Sequence, residues 1–412
     1  MSQPPDSAAL KLGLGLPASA KPEAFPSVLL VTHGNPRSNG AAELFLRALA
    51  SHYPAGRLER FDLVDAPEPS WIESTWLGHL SSGQAVKFSA LPLLSSYHQR
   101  EFVRKGRSEA VGKIREIVER SGIERLWVVL NSGYTIHLTE ALLQVVRVPI
   151  VITVWDTPEY FIRNQRMDPF TGARLLRSFQ AVFCAAAGRA VASEGMRNIY
   201  RDRWDRDSVI LHQGVEPAHW REPRASVELT QPATIAFAGS LYSKTEWNAF
   251  IRAIEILRSG PAAKEITVDF VGRFPRLGAR RPGFVREVGQ VRYETALDIV
   301  SQADVAYLPY WMNRSHAYFA RTAFPSKLST YAAAGAPVFV HSPAGSSPAE
   351  FMRRFPMGVH CASIDPTFIA GELHRLLFDV ELRQRASVAR RQALEKELGT
   401  DAVLGRLGIL LR

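Results

Sequence analysis

The sequence predicts an α/β protein of two tandem doubly wound, Rossmann-like domains that face each other across a cleft. Three observations lead there. Short apolar runs alternate with segments of helical period from Ser27 onward, the pattern of parallel βα units. The runs are apolar throughout rather than alternating, so both sheet faces must be covered by helices. The pattern stops at a polar stretch with three prolines, Pro217 to Pro232, and then restarts, as it would across an interdomain linker.

Residues 1–25 are rich in Pro, Ala and Ser and lack the basic start and continuous apolar run of a signal peptide, so a disordered tail is expected. The first domain, 26–216, has candidate strands SVLLVTH (27–33), AVKFSALPLL (85–94), ERLWVVLN (124–131), VPIVITVW (148–155), AVFCAA (181–186) and SVILHQ (208–213). Between them lie amphipathic stretches such as AAELFLRALASHY and RSEAVGKIREIVERSG. After the linker, 217–232, the second domain (233–395) offers TIAFAGS (234–240), ITVDFVG (266–272), a weak FVREVGQ, ADVAYLPY (303–310) and PVFVHS (337–342). Residues 396–412 read as a C-terminal helix that packs back on the first domain. The longest apolar stretch, around Val145 to Trp155, is broken by Arg147 and Pro149, well short of the roughly 20 residues a bilayer span needs.

The 412 residues carry 50 basic and 40 acidic side chains, a net charge of +10. Such an excess attracts phosphates, whether of nucleic acid, lipid headgroups or a nucleotide. Nucleic-acid binding would rest on charge alone, with no recognition motif behind it. Only 9 of the 50 cations are lysines, which makes each lysine worth locating. Cys184 and Cys361 stand far apart in apolar surroundings, as buried reduced thiols of a cytosolic protein would.

In open parallel sheets ligands sit beyond the carboxyl ends of the strands. TAFPSKLSTYAAAGAPVFV (322–340) follows one such end. Pro325 suits a first helical position, Gly335 a C-terminal cap, and Pro337 stops continuation, giving a short helix over 325–334. Its amino end offers unpaired N–H groups and a positive dipole pole to an anion, and Ser326 and Lys327 add a donor and a charge. The plainer reading leaves Lys327 on a solvated first turn, although a cation there opposes the dipole. FAGSLYSKTEW (237–247) presents a strand, Gly239, a short loop and Lys244 before a helix starting near Thr245. Glycine admits close approach of a bound group, and Lys244 can reach a phosphate as a point charge. On its own this strand–Gly–loop–helix turn is common to many α/β units.

These residues carry a resemblance. The second half resembles the nucleotide-binding domain of GT-B glycosyltransferases, and among them the retaining family 4. The matching pieces are Gly239 to Lys244, Val271-Gly272, the strand with Ala303, Asp304 and Pro309, and Pro325 to Leu328 with Tyr331 to Val338. The first half is similar to the acceptor domain of that fold through HGNPRSNGAAE (33–43), VITVWDTPEYF (151–161) and SVILHQGVEPAHW (208–220). The resemblance implies transfer of a sugar from a nucleotide-diphosphate donor to a hydroxyl, in polysaccharide or glycolipid assembly, without a metal or other cofactor. It implies Lys244, Lys327 and Asp156 as catalytic residues, with Gly239, Ser240, Ser326, Thr322 and Thr330 at the donor. His33, Asn35 and Gly40 fall on the acceptor side. Two positions where family 4 carries glutamates are Thr322 and Thr330, and the customary arginine after Gly239 is Ser240. A catalytically silent GT-B protein that binds a sugar nucleotide or partner therefore stays open, as does a nucleotide-sugar epimerase.

Asp156 precedes Thr-Pro at a strand's end, where it can meet an acceptor hydroxyl or serve as a turn residue. YHQREFVRKGR (97–107) is basic and aromatic, either a charged helix face or a patch for anionic headgroups of a membrane. A lipid-linked acceptor and peripheral attachment at the inner face of the membrane go with the second reading. RFPRLGARRPGFVR (273–286) places five arginines in the loop after one strand. His98 and His137 read as structural or exposed.

Overall fold

The computed structural model describes residues 25–33, 41–63, 76–79, 93–223, 233–260 and 265–412. The expected tail and most of the strand expected over 85–94 lie outside them.

Two parallel sheets organise the chain. The first has seven strands: β1 (Val28–Thr32), β2 (Leu58–Asp62), β3 (Trp76–His79), β4 (Arg125–Val129), β5 (Ile150–Val154), β6 (Gly188–Val191) and β7 (Val209–Ile210). Their order is β3-β2-β1-β4-β5-β6-β7. The order reverses between β1 and β4, which pair directly, Leu29 opposite Leu126 and Val31 opposite Val128. That reversal opens a crevice at the carboxyl ends of β1 and β4. The second sheet has six strands: β8 (Thr234–Ala238), β9 (Thr267–Val271), β10 (Val285–Gly289), β11 (Val305–Pro309), β12 (Val338–His341) and β13 (Gly358–Cys361). It runs β10-β9-β8-β11-β12-β13 and reverses between β8 and β11.

Helices cover both faces, as the all-apolar strands require. In the first half α1 (Ala41–His52), α2 (Leu94–Glu101), α3 (Gly133–Val145) and α4 (Pro169–Ala185) matter for the site. Ser132 caps α3 through the Thr135 N–H and Asp168 caps α4 through Phe170 and Thr171, each satisfying donors that a helix start leaves open. In the second half α5 (Lys244–Ser259) follows β8 and α6 (Ser326–Ala334) follows β11. Pro325 stands one residue before α6 as its cap, and Gly335 ends it at φ +93°, a conformation that favours glycine. The last helix, α7 (Thr400–Leu411), places Val403, Leu407 and Leu411 in one apolar cluster with Val28, Leu30, Leu49 and Trp127 of the first half.

The structure corrects several expected elements. AVFCAA (181–186) is the last turn of α4 and the residue after it, and the strand comes later, at Gly188–Val191. The Asp168 cap starts a helix whose Leu175, Phe179, Val182 and Phe183 share one buried face, so the run continues a 3.6-residue period. SVILHQ contributes only the two-residue edge strand β7. Strands β2, β3 and β13 add to those expected. In β2 the polar letters of LERFD conceal a buried ion pair, Arg60 to Asp62 at 2.8 Å, with Glu43 of α1 at 3.2 Å. Burial nonetheless pushes the Asp62 carboxyl up to about 6. Both cysteines are free. Among the described residues no helix is long and apolar enough to cross a membrane.

Besides those of α7, contacts between the halves are made by residues 315–322. Ser193 Oγ donates to Thr322 O at 2.6 Å, Arg163 donates to Ser315 O at 2.7 Å, and Tyr160 meets Phe319 with ring centres 5.7 Å apart.

Candidate functional site

Strand ends from both sheets meet at the cleft. On the second-half side, β8 runs into Gly239, whose φ is +102° and whose N–H donates to Val271 O at 2.8 Å. Lys327, the second residue of α6, reaches across to this turn. A Cβ built on Gly239 would stand 3.1 Å from Lys327 Cε and 3.5 Å from Nζ, so the missing side chain is what leaves room for the ammonium. Nζ lies 4.7 Å from the Tyr242 ring centre and 5.7 Å from that of Phe237, a cation–π setting. Burial alone holds this ammonium down to about 8, because desolvation disfavours the charged form. Among the described residues no carboxylate offsets it.

The other expected donor-side residues are spread around this point. Ser326 opens α6 and is half-buried, whereas Ser240 is exposed. The Thr322 and Thr330 hydroxyls turn back onto their own helices, donating to Tyr318 O at 3.0 Å and Ser326 O at 3.4 Å. Lys244 is the first residue of α5 rather than a loop residue. Its ammonium donates to Leu277 O at 2.8 Å, in the arginine-bearing loop after β9. Two of that loop's four arginines are paired with acids, Arg280 with Glu255 and Arg281 with Glu287. Arg286, expected in the loop, lies in β10 and pairs with Asp269.

An aromatic shelf flanks Lys327. Tyr242 and Trp311 are 4.6 Å apart between ring centres, Tyr310 and Trp311 5.1 Å, and Trp311 stacks on His316 at 16°. Tyr310 links this shelf to the first half, since the Asp156 carboxylate acts on both its phenol and that of Tyr160. Asp156 stands just past β5, and burial pushes its carboxyl up to about 6. The structure thus strings Lys327, Tyr242, Tyr310 and Asp156 across the cleft, with Lys244 off to one side.

His33 follows β1 directly, one strand from Asn131 and two from Asp156. Its N–H donates to Asn131 Oδ1 at 3.2 Å, and its ring lies 5.1 Å from Tyr134. Burial pulls the imidazole down to about 4, so it is neutral at pH 7 with Nε2 unpartnered. Asn35 and Gly40 lie outside the described residues. His137 is buried within α3 and bonds Ser178 Oγ at 3.1 Å, a structural contact.

Sequence reasoning did not single out Tyr242, Tyr310 and Trp311. The conformation of YWMNRSHAYFAR (310–321) is not legible in its letters, and only the fold brings its first residues beside Tyr242. It also passed over Gln99, which α2 buries against the start of α3; a polar letter in a basic helix carries no sign of burial.

Solved structures share this architecture. The chain is similar to sucrose-phosphate synthase from Thermosynechococcus elongatus at 16% identity and a TM-score of 0.63, covering 93% of this chain and 97% of that one. It is similar to HepE from Anabaena, solved with UDP-glucose, at 13% identity and a TM-score of 0.60, over 93% and 99% of the two chains. It is also similar to an α,α-trehalose-phosphate synthase (UDP-forming) from Burkholderia xenovorans, solved with glucose-6-phosphate, at 10% identity and a TM-score of 0.64, over 94% and 100%. No family model and no curated protein sequence matches the chain. At these identities the likeness shows the fold, which is the GT-B architecture expected from the motifs.

Proposed function

We propose that this protein is a glycosyltransferase that moves a sugar from a nucleotide-diphosphate donor to a hydroxyl acceptor. The observation that carries the reading is Lys327: a cation without a carboxylate partner among the described residues, half-buried at the amino end of α6 and facing the side-chain-free turn at Gly239. A desolvated charge beside a helix pole is costly unless an anion completes it. A diphosphate there would gain a charge-assisted hydrogen bond and the N–H groups of the first turn.

In the proposed reaction the acceptor hydroxyl oxygen bonds to the anomeric carbon as that carbon's bond to the diphosphate breaks. Negative charge grows on the departing oxygen, and the hydroxyl proton passes to the departing diphosphate. Lys327 and the α6 dipole stabilise that charge in a site that needs little reorganisation. Lys244 flanks the same face as a secondary cation. Protein groups meet the charge, so the proposal calls for no metal or other cofactor; activity is expected to survive chelation. Asp156, with its raised carboxyl, is ionised for the most part at pH 7 and accepts a hydrogen bond from the acceptor hydroxyl. Retention of configuration and a hexose donor follow from the family 4 resemblance and complete the reading.

Exposed Leu93 and Tyr97 on one side, and Phe170 at 83% exposure on the other, flank Arg100, Arg104 and Lys105. We assign this patch to peripheral contact with an anionic membrane carrying a lipid-linked acceptor. Co-sedimentation that ignores lipid charge and salt would remove that assignment.

Calorimetry against UDP, GDP and their glucose conjugates tests the main reading. Saturable binding with slow donor hydrolysis is expected; no binding by any of them sinks it. Binding without any turnover favours a silent sugar-nucleotide protein, the reading that the inward-turned Thr322 and Thr330 hydroxyls support.

A further inference from the structure

Orphaned polar atoms gather at one place in the first half. Gln99 of α2 is 1% exposed, and neither its Oε1 nor its Nε2 has a partner. Such an arrangement is rare in native interiors and calls for a missing partner. The amide lies over the first residue of α3. A Cβ built on Gly133 would stand 2.8 Å from Oε1 and 2.9 Å from Nε2, so the amide lies in the space that this glycine leaves free. The Ser132 cap serves the Thr135 N–H at 3.3 Å, and among the described residues no protein acceptor serves the N–H groups of Gly133 and Tyr134. His33 packs against Tyr134 from the other side with its Nε2 also unpartnered. The cluster sits at the β1–β4 crevice, where a doubly wound sheet receives its ligand.

We propose that Gln99, His33 and the first turn of α3 form the subsite for hydroxyls of a neutral sugar acceptor. This assignment rests on the glycosyltransferase reading. The chemistry of the groups selects hydroxyls over a phosphate. The amide supplies one donor side and one acceptor side, and a hydroxyl can satisfy both, whereas a phosphate can use only the donor. Among the described residues no side-chain cation enters the cluster: Arg100, the next residue, is exposed and pairs with Asp168 at 2.6 Å. The imidazole is neutral at pH 7 because burial holds it near 4.

The test uses the full chain and Gln99→Met, which keeps length and removes both polar ends. A glutamine awaiting a ligand leaves the unliganded protein less stable than its apolar replacement. Q99M should therefore unfold at the wild-type temperature or about 2 °C above it. Its affinity for UDP should match wild type. With UDP saturating, its affinity for D-glucose should fall about tenfold or more. A lowered unfolding temperature would make Gln99 a structural residue and overturn the proposal. So would wild-type glucose affinity in Q99M, no saturable glucose binding to the wild type, or binding by D-glucose 6-phosphate alone. Gln99-dependent glucose binding in a chain that ignores UDP would instead overturn the transferase reading and leave the subsite standing.

Discussion

The two faces of the cleft solve the unsatisfied-group problem in opposite ways. On the second-half face the need is charge: Lys327 is desolvated, has no carboxylate beside it among the described residues and is bordered by rings that offer only π-density. On the first-half face the need is neutral hydrogen bonding, through Gln99 and the His33 imidazole, with Asp156 as an acid nearby. One face wants an anion and the other wants hydroxyls. The two faces together match a substrate pair in which a diphosphate leaves and a hydroxyl attacks.

The sharpest way to break that contrast is Lys327→Ala. It should weaken UDP binding by about 2–3 kcal/mol, roughly a hundredfold, as loss of a charge-assisted hydrogen bond does; calorimetry showing wild-type affinity would strip the second-half face of its anion. Next in size is a pH effect. The lysine in the free protein loses its proton as pH rises through about 8, so UDP affinity should fall toward tenfold per pH unit above that point. Lys327→Arg, which does not titrate there, should flatten the slope.

A smaller effect belongs to Asp156. A carboxyl raised to about 6 in the fold, from 3.8 in the open chain, binds its proton more tightly when folded. Its contribution to stability is thus present at low pH and lost as pH climbs from about 4 to 6. Asp62 shares that direction, so the comparison is between wild type and Asp156→Asn, whose unfolding temperature should decline less over this window. The smallest effect expected is that of Lys244→Ala. Its ammonium is already engaged by Leu277 O, and UDP affinity should change less than about threefold. A loss as large as that for Lys327 would move the anion site toward α5.

The second-half face was legible in the letters and the first was not, for a physical reason. Helix starts, glycine turns and stop signals are local, so Gly239, Pro325, Lys327 and Gly335 announce themselves. Orphaned atoms are a property of three-dimensional surroundings. Nothing in SYHQREF says that Gln99 will be sealed while its neighbours Tyr97 and Arg100 face water. The same limit explains the misplaced strand at 181–186 and the hidden one at 58–62: a helix ending in AVFCA looks like a strand, and a buried Arg60–Asp62 pair makes a core strand look like a surface. The continuous apolar strands β4, β5, β8 and β11 carried no such ambiguity, which is why the fold was readable where the acceptor chemistry was not.

One feature of the backbone has a mechanical corollary. The Val215 N–H donates to Leu398 O at 2.8 Å and the Thr400 N–H donates to Val215 O at 3.1 Å, just where the chain leaves the first half and where it returns. The two passages are thus laced side by side, and the returning piece buries Val403, Leu407 and Leu411 in the first half's core. A single peptide cut between Pro223 and Ala233 would leave two fragments that still share a core, so they should co-purify and be separable only under denaturing conditions. The two lengths of chain would in that sense stay one molecule after the cut, held by the seam at Val215 and by the buried face of α7.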